Sequence, residues 1–166
     1  MIKKMLALSL LVVLAGCSDK PQSTPTPPKI KPAVHRVVFS REFQHMWYQV
    51  DAQGSAHTLH FSNNAVTYDG VKTLTYWASE RNKDDNQILD AGQQPETKRA
   101  QWAAATIRGS WLNLRGWYQQ TGSGTSYQVH GQQLWVASGA QPTVVAHFYR
   151  NLTFAKSHPE QKGETP

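Results

Sequence analysis

Several groups of side chains have the types and spacing that chemistry requires. The thiol of Cys17, the only cysteine in the 166 residues, closes a short apolar run and is a candidate nucleophile. His57 and His60 form an H-x-x-H pair, a spacing through which imidazoles can approach one metal ion. On a strand, however, residues three apart point to opposite faces and cannot share an ion. Asp84, Asp85, Asn86 and Asp90 offer the oxygen donors calcium takes, without the glycine turn and terminal glutamate of an EF-hand loop. Ser123, Ser126 and His130 are close enough for a nucleophile and a base, but the surrounding glycines read as hairpin glycines. A strand-to-helix elbow that would activate a serine is missing. The sequence therefore nominates no catalytic residue, no metal set and no cofactor, and a non-enzymatic protein is expected.

What surrounds Cys17 gives its thiol a task. Lys3 and Lys4 precede an apolar run over residues 5–14, which ends in the small pair Ala15 and Gly16. A membrane-spanning helix needs about 20 apolar residues, and this run is too short. A charged start, a short apolar stretch and small residues before a cut are the parts of an export signal. The tetrad Leu14-Ala15-Gly16-Cys17 resembles the lipobox of bacterial lipoproteins. That resemblance implies a signal peptide over residues 1–16, lipidation of the Cys17 thiol by diacylglycerol, and a mature protein beginning at the acylated cysteine, carrying palmitate or a similar chain. One acyl chain binds a bilayer marginally and two or three hold it stably. Ser18 in the next position implies delivery to the outer membrane, lipid-anchored and facing the periplasm; Asp19, one place later, keeps the inner membrane open as an alternative.

Residues 17–34 read as the lipidated cysteine and a proline-rich tether, with Pro21, Pro25, Pro27, Pro28 and Pro32 among polar residues. In polyproline geometry, at about 3.1 Å per residue, residues 18–34 would reach roughly 50 Å. The tether and the signal also hold much of the formal charge of +6: residues 35–155 carry ten Lys or Arg against eight Asp or Glu. A nearly neutral domain has no basic stripe for DNA or RNA, so no nucleic-acid partner is expected. The lipid bilayer is the partner that the anchor implies, and the lysines after Cys17 would lie near its headgroups. Residues 156–166 read as a flexible polar tail.

The elements that must position everything else lie in residues 35–155. Short runs rich in β-branched and aromatic residues recur at 36–39, 46–50, 56–61, 66–68, 71–77, 110–118, 126–129, 133–136 and 143–149, separated by turn residues such as Asn63-Asn64 and Asp69-Gly70. Asn63 and Asn64 suit a hairpin because asparagine tolerates positive φ. Residues 99–107 contain helix-favouring alanines but stand where a strand is due, and are read as a strand. Residues 79–98 are polar and read as an excursion from the rim, with at most a short strand at 87–89. This spacing predicts an all-β domain, an antiparallel meander closing as a barrel, with a β-sandwich as the alternative.

Six Trp, six Tyr and five Phe supply the large core pieces. Alternation along a strand places Trp111, Asn113, Arg115 and Trp117 on one face, and Leu112 and Leu114 on the other. The leucine face belongs to the core. The four remaining residues are a candidate binding surface, the lining of a polar-aromatic cavity, or an ordinary cover for an apolar edge.

An early Trp47 in Phe43-Gln-His-Met-Trp47, a Tyr127-to-Val136 stretch with Val129, Gly131 and Leu134 between, and a closing Phe148-Tyr-Arg150 resemble the small lipocalin-like barrels. The resemblance implies a lipocalin-like fold in which Trp47 sits at the closed end under Arg150 as a barrel-closing pair. The glycine that the family places two residues before its tryptophan is His45 here. Three functions follow as expectations. The first is a membrane-anchored periplasmic module that docks another envelope protein through exposed aromatic faces. The second, implied by the lipocalin resemblance, is a carrier of a small apolar or amphipathic ligand. The third is an envelope hydrolase whose site forms only in space. A well-formed cavity of about 300 Å³ or more favours the carrier.

Overall fold

The computed structural model describes residues 35–92 and 96–160. The segments expected from the sequence as an export signal and a tether, with Cys17 between them, and residues 161–166 lie outside the described residues.

Among the described residues the chain forms a closed, nine-stranded, mixed β-barrel with two short helices, consistent with the lipocalin-like architecture. The strands are β1 (Met46–Val50), β2 (Ala56–Ser62), β3 (Ala65–Tyr68), β4 (Val71–Trp77), β5 (Trp102–Arg108), β6 (Trp111–Gly116), β7 (Thr125–His130), β8 (Gln133–Ser138) and β9 (Thr143–Tyr149). Helix α1 covers Lys83–Asp90 and helix α2 covers Leu152–Ser157. The ring closes where Tyr48 of β1 pairs with Tyr149 of β9.

Four expectations need correction. The barrel is not a pure antiparallel meander, because β4 and β5 run parallel from Leu74 opposite Trp102 to Trp77 opposite Ala105. A parallel pair requires a crossover, and residues 78–101 supply it. That stretch holds α1 rather than a strand at 87–89. Asn82 starts the helix with a capping box: its side chain accepts from the Asp85 N–H at 2.8 Å, and the Asp85 carboxylate accepts from the Asn82 N–H at 3.2 Å. Residues 36–39 make one bridge, Arg36 to Tyr76, instead of a full strand. Finally, order runs past Ala155. Lys156 and Ser157 finish α2, and the Glu160 N–H donates to the Val50 carbonyl at 2.8 Å.

The turns obey local chemistry. Asp69 and Gly70 both have positive φ, 45° and 84°, as a two-residue hairpin with the right twist demands. The Asn63-Asn64 hairpin forms without positive φ at either asparagine, so the reason given for it from sequence does not hold.

Two cores hold the domain. Inside the barrel, Trp47, Leu59, Phe61, Leu112, Leu134 and Phe148 pack with Val37 and Phe39, which arrive from the segment before β1. The Val37 N–H donates to the Thr75 carbonyl at 3.1 Å and the Phe39 N–H to the Asn63 carbonyl at 3.2 Å. That segment closes one end of the barrel. Outside the barrel, Tyr76, Ala104, Trp117 and Tyr118 are buried with Ile88 and Leu89 of α1 packed against them. The crossover thus covers the apolar outer faces of β4 and β5, which water would otherwise reach.

Candidate functional site

The end opposite the closing segment is open. Alternation along β2 and β3 turns Leu59, Phe61, Val66 and Tyr68 inward. An inner cavity of about 320 Å³ lies among Leu59, Tyr127, Val136, Ala146 and Phe148, with Gln49 and Thr125 as its polar edges. None of the residues lining it is charged. It shares Tyr68, Thr125 and Tyr127 with a wider mouth of about 890 Å³, bounded by the ends of β3 to β8. On the lip, Tyr68 and Val71 remain 46% and 71% exposed, large apolar side chains held at the entrance.

Tyr127 is the polar centre of this space. Its ring stands edge-on to Phe61 at 5.3 Å. Burial pushes its phenol up to about 12, against a hydrogen bond with Thr125 that acts in the other direction. The hydroxyl is therefore neutral at ordinary pH and can donate to, or accept from, a polar group in an uncharged chamber whose lining is part apolar and part polar.

A second polar group sits on the rim. His57 lies on the inward-facing side of β2 and is bracketed by two turn aspartates: Nδ1 is 2.7 Å from Asp69 Oδ2, and Nε2 is 3.4 Å from Asp51 Oδ2. Its ring lies parallel to that of Tyr68 at 6.0 Å. The hydrogen bond that His57 donates to Asp69 raises the imidazole above its ordinary value and outweighs burial, with Asp51 adding to it. The same contact to His57, followed by the Thr58 N–H, holds the Asp69 carboxyl low. The Ser55 N–H, before His57, does so for Asp51. With both nitrogens engaged by carboxylates, His57 ties the β1–β2 turn to the β3–β4 turn. Sequence reading set His57 beside His60, rejected the two as a metal pair, and missed the aspartates. Their one signal was position, since each stands in a turn flanking β2 or β3.

The residues singled out from sequence separate into two outcomes. Trp47 and Arg150 come together: the guanidinium carbon lies 5.1 Å from the ring centre, and an Arg150 Nη2–H donates to the Glu42 carbonyl at 3.4 Å. The indole N–H of Trp47 donates to the Phe43 carbonyl at 3.0 Å. Trp111, Asn113, Arg115 and Trp117 do not make one exposed surface. Asn113 is buried beneath the segment joining β6 to β7, donating to the Ser123 carbonyl at 2.9 Å and the Ser126 hydroxyl at 3.0 Å. Trp117 lies beyond the end of β6, is wholly buried in the outer core, and crosses Trp102 edge-on at 5.6 Å. Trp111 and Arg115 are half-buried.

Among the described residues no three His, Cys, Asp or Glu side chains converge as a metal set. Comparison with models of protein families, with curated proteins and with solved structures finds no significant match to this chain.

Proposed function

We propose that this chain is a lipid-anchored protein of the bacterial envelope whose barrel takes up a small apolar or amphipathic ligand. The observation that carries the reading is the chamber of about 320 Å³ that opens through a mouth of about 890 Å³. Volumes of this order hold small ligands, and a few polar groups in an apolar lining orient them. Leu59, Val136 and Phe148 supply the apolar wall, and Gln49, Thr125 and the neutral Tyr127 phenol supply the orientation. The anchor rests on the lipobox at Leu14 to Cys17. Docking of another envelope protein has less support, because Asn113 and Trp117, half of the face on which it rested, are buried.

Residues 18–166, which contain both cores of the described barrel, allow a direct test. Titration with a neutral naphthylamine dye, whose fluorescence rises in apolar surroundings, is expected to saturate at one dye per chain. Ala146→Trp, which puts an indole into the chamber, should weaken binding at least tenfold while the urea midpoint shows whether the barrel is intact; Ala146→Leu should give a smaller loss. Unsaturable dye fluorescence, or equal binding by all three proteins, overturns the carrier. Anchoring is tested separately: Cys17→Ser should accumulate as a longer, unacylated precursor, and normal processing of that variant would show the lipobox reading to be wrong.

A further inference from the structure

Three arginines surround the outer core beside the mouth, and only one has a carboxylate. Arg99 pairs with the buried Asp85, Nη1 to Oδ2 at 2.6 Å. Arg81 lies over the ring of Trp117, 5.3 Å from its centre, and its Nη2–H donates to the Gly116 carbonyl at 3.4 Å. Arg115 leaves the end of β6 and donates from Nη2 to the Gln119 carbonyl at 3.1 Å and the Gln120 carbonyl at 3.0 Å. Two guanidinium groups therefore converge on the single turn at residues 116–120. Neither forms an ion pair among the described residues, and each keeps a buried Nε–H with no acceptor.

That arrangement is costly. Buried N–H donors on charged groups are ordinarily satisfied, and like charges brought together in a partly dry place repel. Burial and then the neighbouring positive charge of Arg115 pull the Arg81 guanidinium below its ordinary value, with Asp85 and Tyr118 acting in the other direction. Carbonyl oxygens of the turn spread some of this charge, but a carbonyl carries no net charge. Among the described residues neither Arg81 nor Arg115 has a carboxylate partner, and an oxyanion would neutralise the pair. Planar guanidinium forks match carboxylate and phosphate oxygens in pairs. Arg115, Gly116 and Gln119 also line the mouth of the chamber, so an anion held there is continuous with anything inside the barrel.

We infer that Arg81 and Arg115 form an oxyanion site on the rim of the mouth, and that it holds the acidic head of an amphipathic ligand whose apolar part enters the chamber. The site is built from the crossover and the end of β6, outside the inward-facing lining of the barrel. The inference rests on the proposed carrier function only for the apolar part; the arginine pair stands on its own geometry.

Calorimetry on residues 18–166 with dodecyl phosphate, dodecanol and inorganic phosphate separates the parts. Dodecyl phosphate is expected to bind at least tenfold more tightly than dodecanol. Millimolar inorganic phosphate should compete with the former and leave the latter untouched. In Arg81→Gln/Arg115→Gln the preference should vanish while dodecanol still binds. Equal binding of dodecanol and dodecyl phosphate by the parent overturns the oxyanion site and leaves the carrier standing. So does a preference that survives the double substitution. Binding of inorganic phosphate, lost on Arg115→Gln, with no binding of either dodecyl compound would keep the arginine site for a free anion and overturn both the amphipathic ligand and the carrier. If the double variant unfolds, Arg115→Lys replaces it: a retained charge without the fork should lower the preference, and an unchanged preference counts against the site.

Discussion

Arg150 lies over Trp47, its guanidinium carbon 5.1 Å from the ring centre, and so joins the last strand to the first beneath the closed end of the barrel. The ring is wholly buried among Phe39, Phe61 and their neighbours. Trp47→Ala is expected to cost about 3–5 kcal/mol through lost packing and the cavity left behind. Arg150→Ala should cost about 1–2 kcal/mol, since a cation over an aromatic face contributes about 0.5–2 kcal/mol. A double-mutant cycle measured by urea unfolding should show positive coupling between them. Additive losses would mean that the two side chains stabilise the barrel independently.

Gly124 and Gly54 both have positive φ, 73° and 83°, yet their surroundings differ. A Cβ on Gly124 would stand 2.3 Å from the Leu114 carbonyl oxygen and 2.4 Å from Arg115 Cγ, whereas at Gly54 it meets nothing within 4 Å. Gly54→Ala should cost about 1 kcal/mol, the strain of the left-handed conformation alone. Gly124→Ala adds a backbone collision and should cost clearly more, about 2–4 kcal/mol. Equal urea midpoints for the two variants would show that the segment over Asn113 yields without penalty.

Asp85 fastens the crossover to the barrel. It is 2% exposed and accepts from the Tyr118 hydroxyl at 2.7 Å and from Arg99 at 2.6 Å. Burial pushes its carboxyl up, but hydrogen bonds led by the Tyr118 hydroxyl and the Asn82 N–H, with Arg99 among the rest, outweigh burial and hold it below its ordinary value. Removing one partner of a buried pair typically costs about 3–5 kcal/mol; with Arg99 partly exposed, Asp85→Ala is expected near 3 kcal/mol. Asp85→Asn keeps the shape and should lose less. Hydrogen exchange locates the damage: amides of α1 and Trp117 should exchange faster in Asp85→Ala while those of β8 and β9 keep their relative protection.

The cluster of His57 with Asp51 and Asp69 gives stability a defined dependence on pH. His57 has a folded value above its ordinary 6.5, so its contribution is complete below pH 6.5 and is lost as pH rises through the folded value. The aspartates have folded values below the ordinary 3.8, so theirs is complete above that pH and is lost as pH falls through the folded values. This cluster therefore stabilises most between about pH 4 and 6.5. His57→Asn should flatten the alkaline side of the profile of urea midpoint against pH. A parent profile that does not fall as pH rises above 6.5 would contradict the contact.

The strands were legible because each is short, carries its own alternation and ends in a turn residue; β1, β4 and β9 have the bounds that the sequence suggests. Topology was harder. The parallel step at β4 and β5 depends on where residues 78–101 lead the chain, and their polarity gave no direction. Asn82 followed by Asp85 was a readable helix start, and the apolar stripe of Ile88 and Leu89 was too short to announce a helix. Alternation misled at Trp117 because β6 ends at Gly116, after which the chain turns and the Trp117 N–H donates to the Trp102 carbonyl at 2.8 Å. The arginine pair and the His57 cluster each join residues from separate elements. Only the closed ring brings them together.

The ring itself is joined at its two ends by one paired position, Tyr48 with Tyr149, supported by α2 lying across β1 and β9 and by Glu160, whose carboxylate accepts the His147 N–H. Arg150 and Glu42, which meet at this joint, are 108 positions apart in the chain. During synthesis β1 emerges long before its partner exists. Its open edge is available for wrong pairing throughout that interval. Closure is an event of the final residues, so a chain shortened before Glu160 loses the fastening of its first strand as well as its own last turn, and a helper that shields nascent edges would have its longest task at β1.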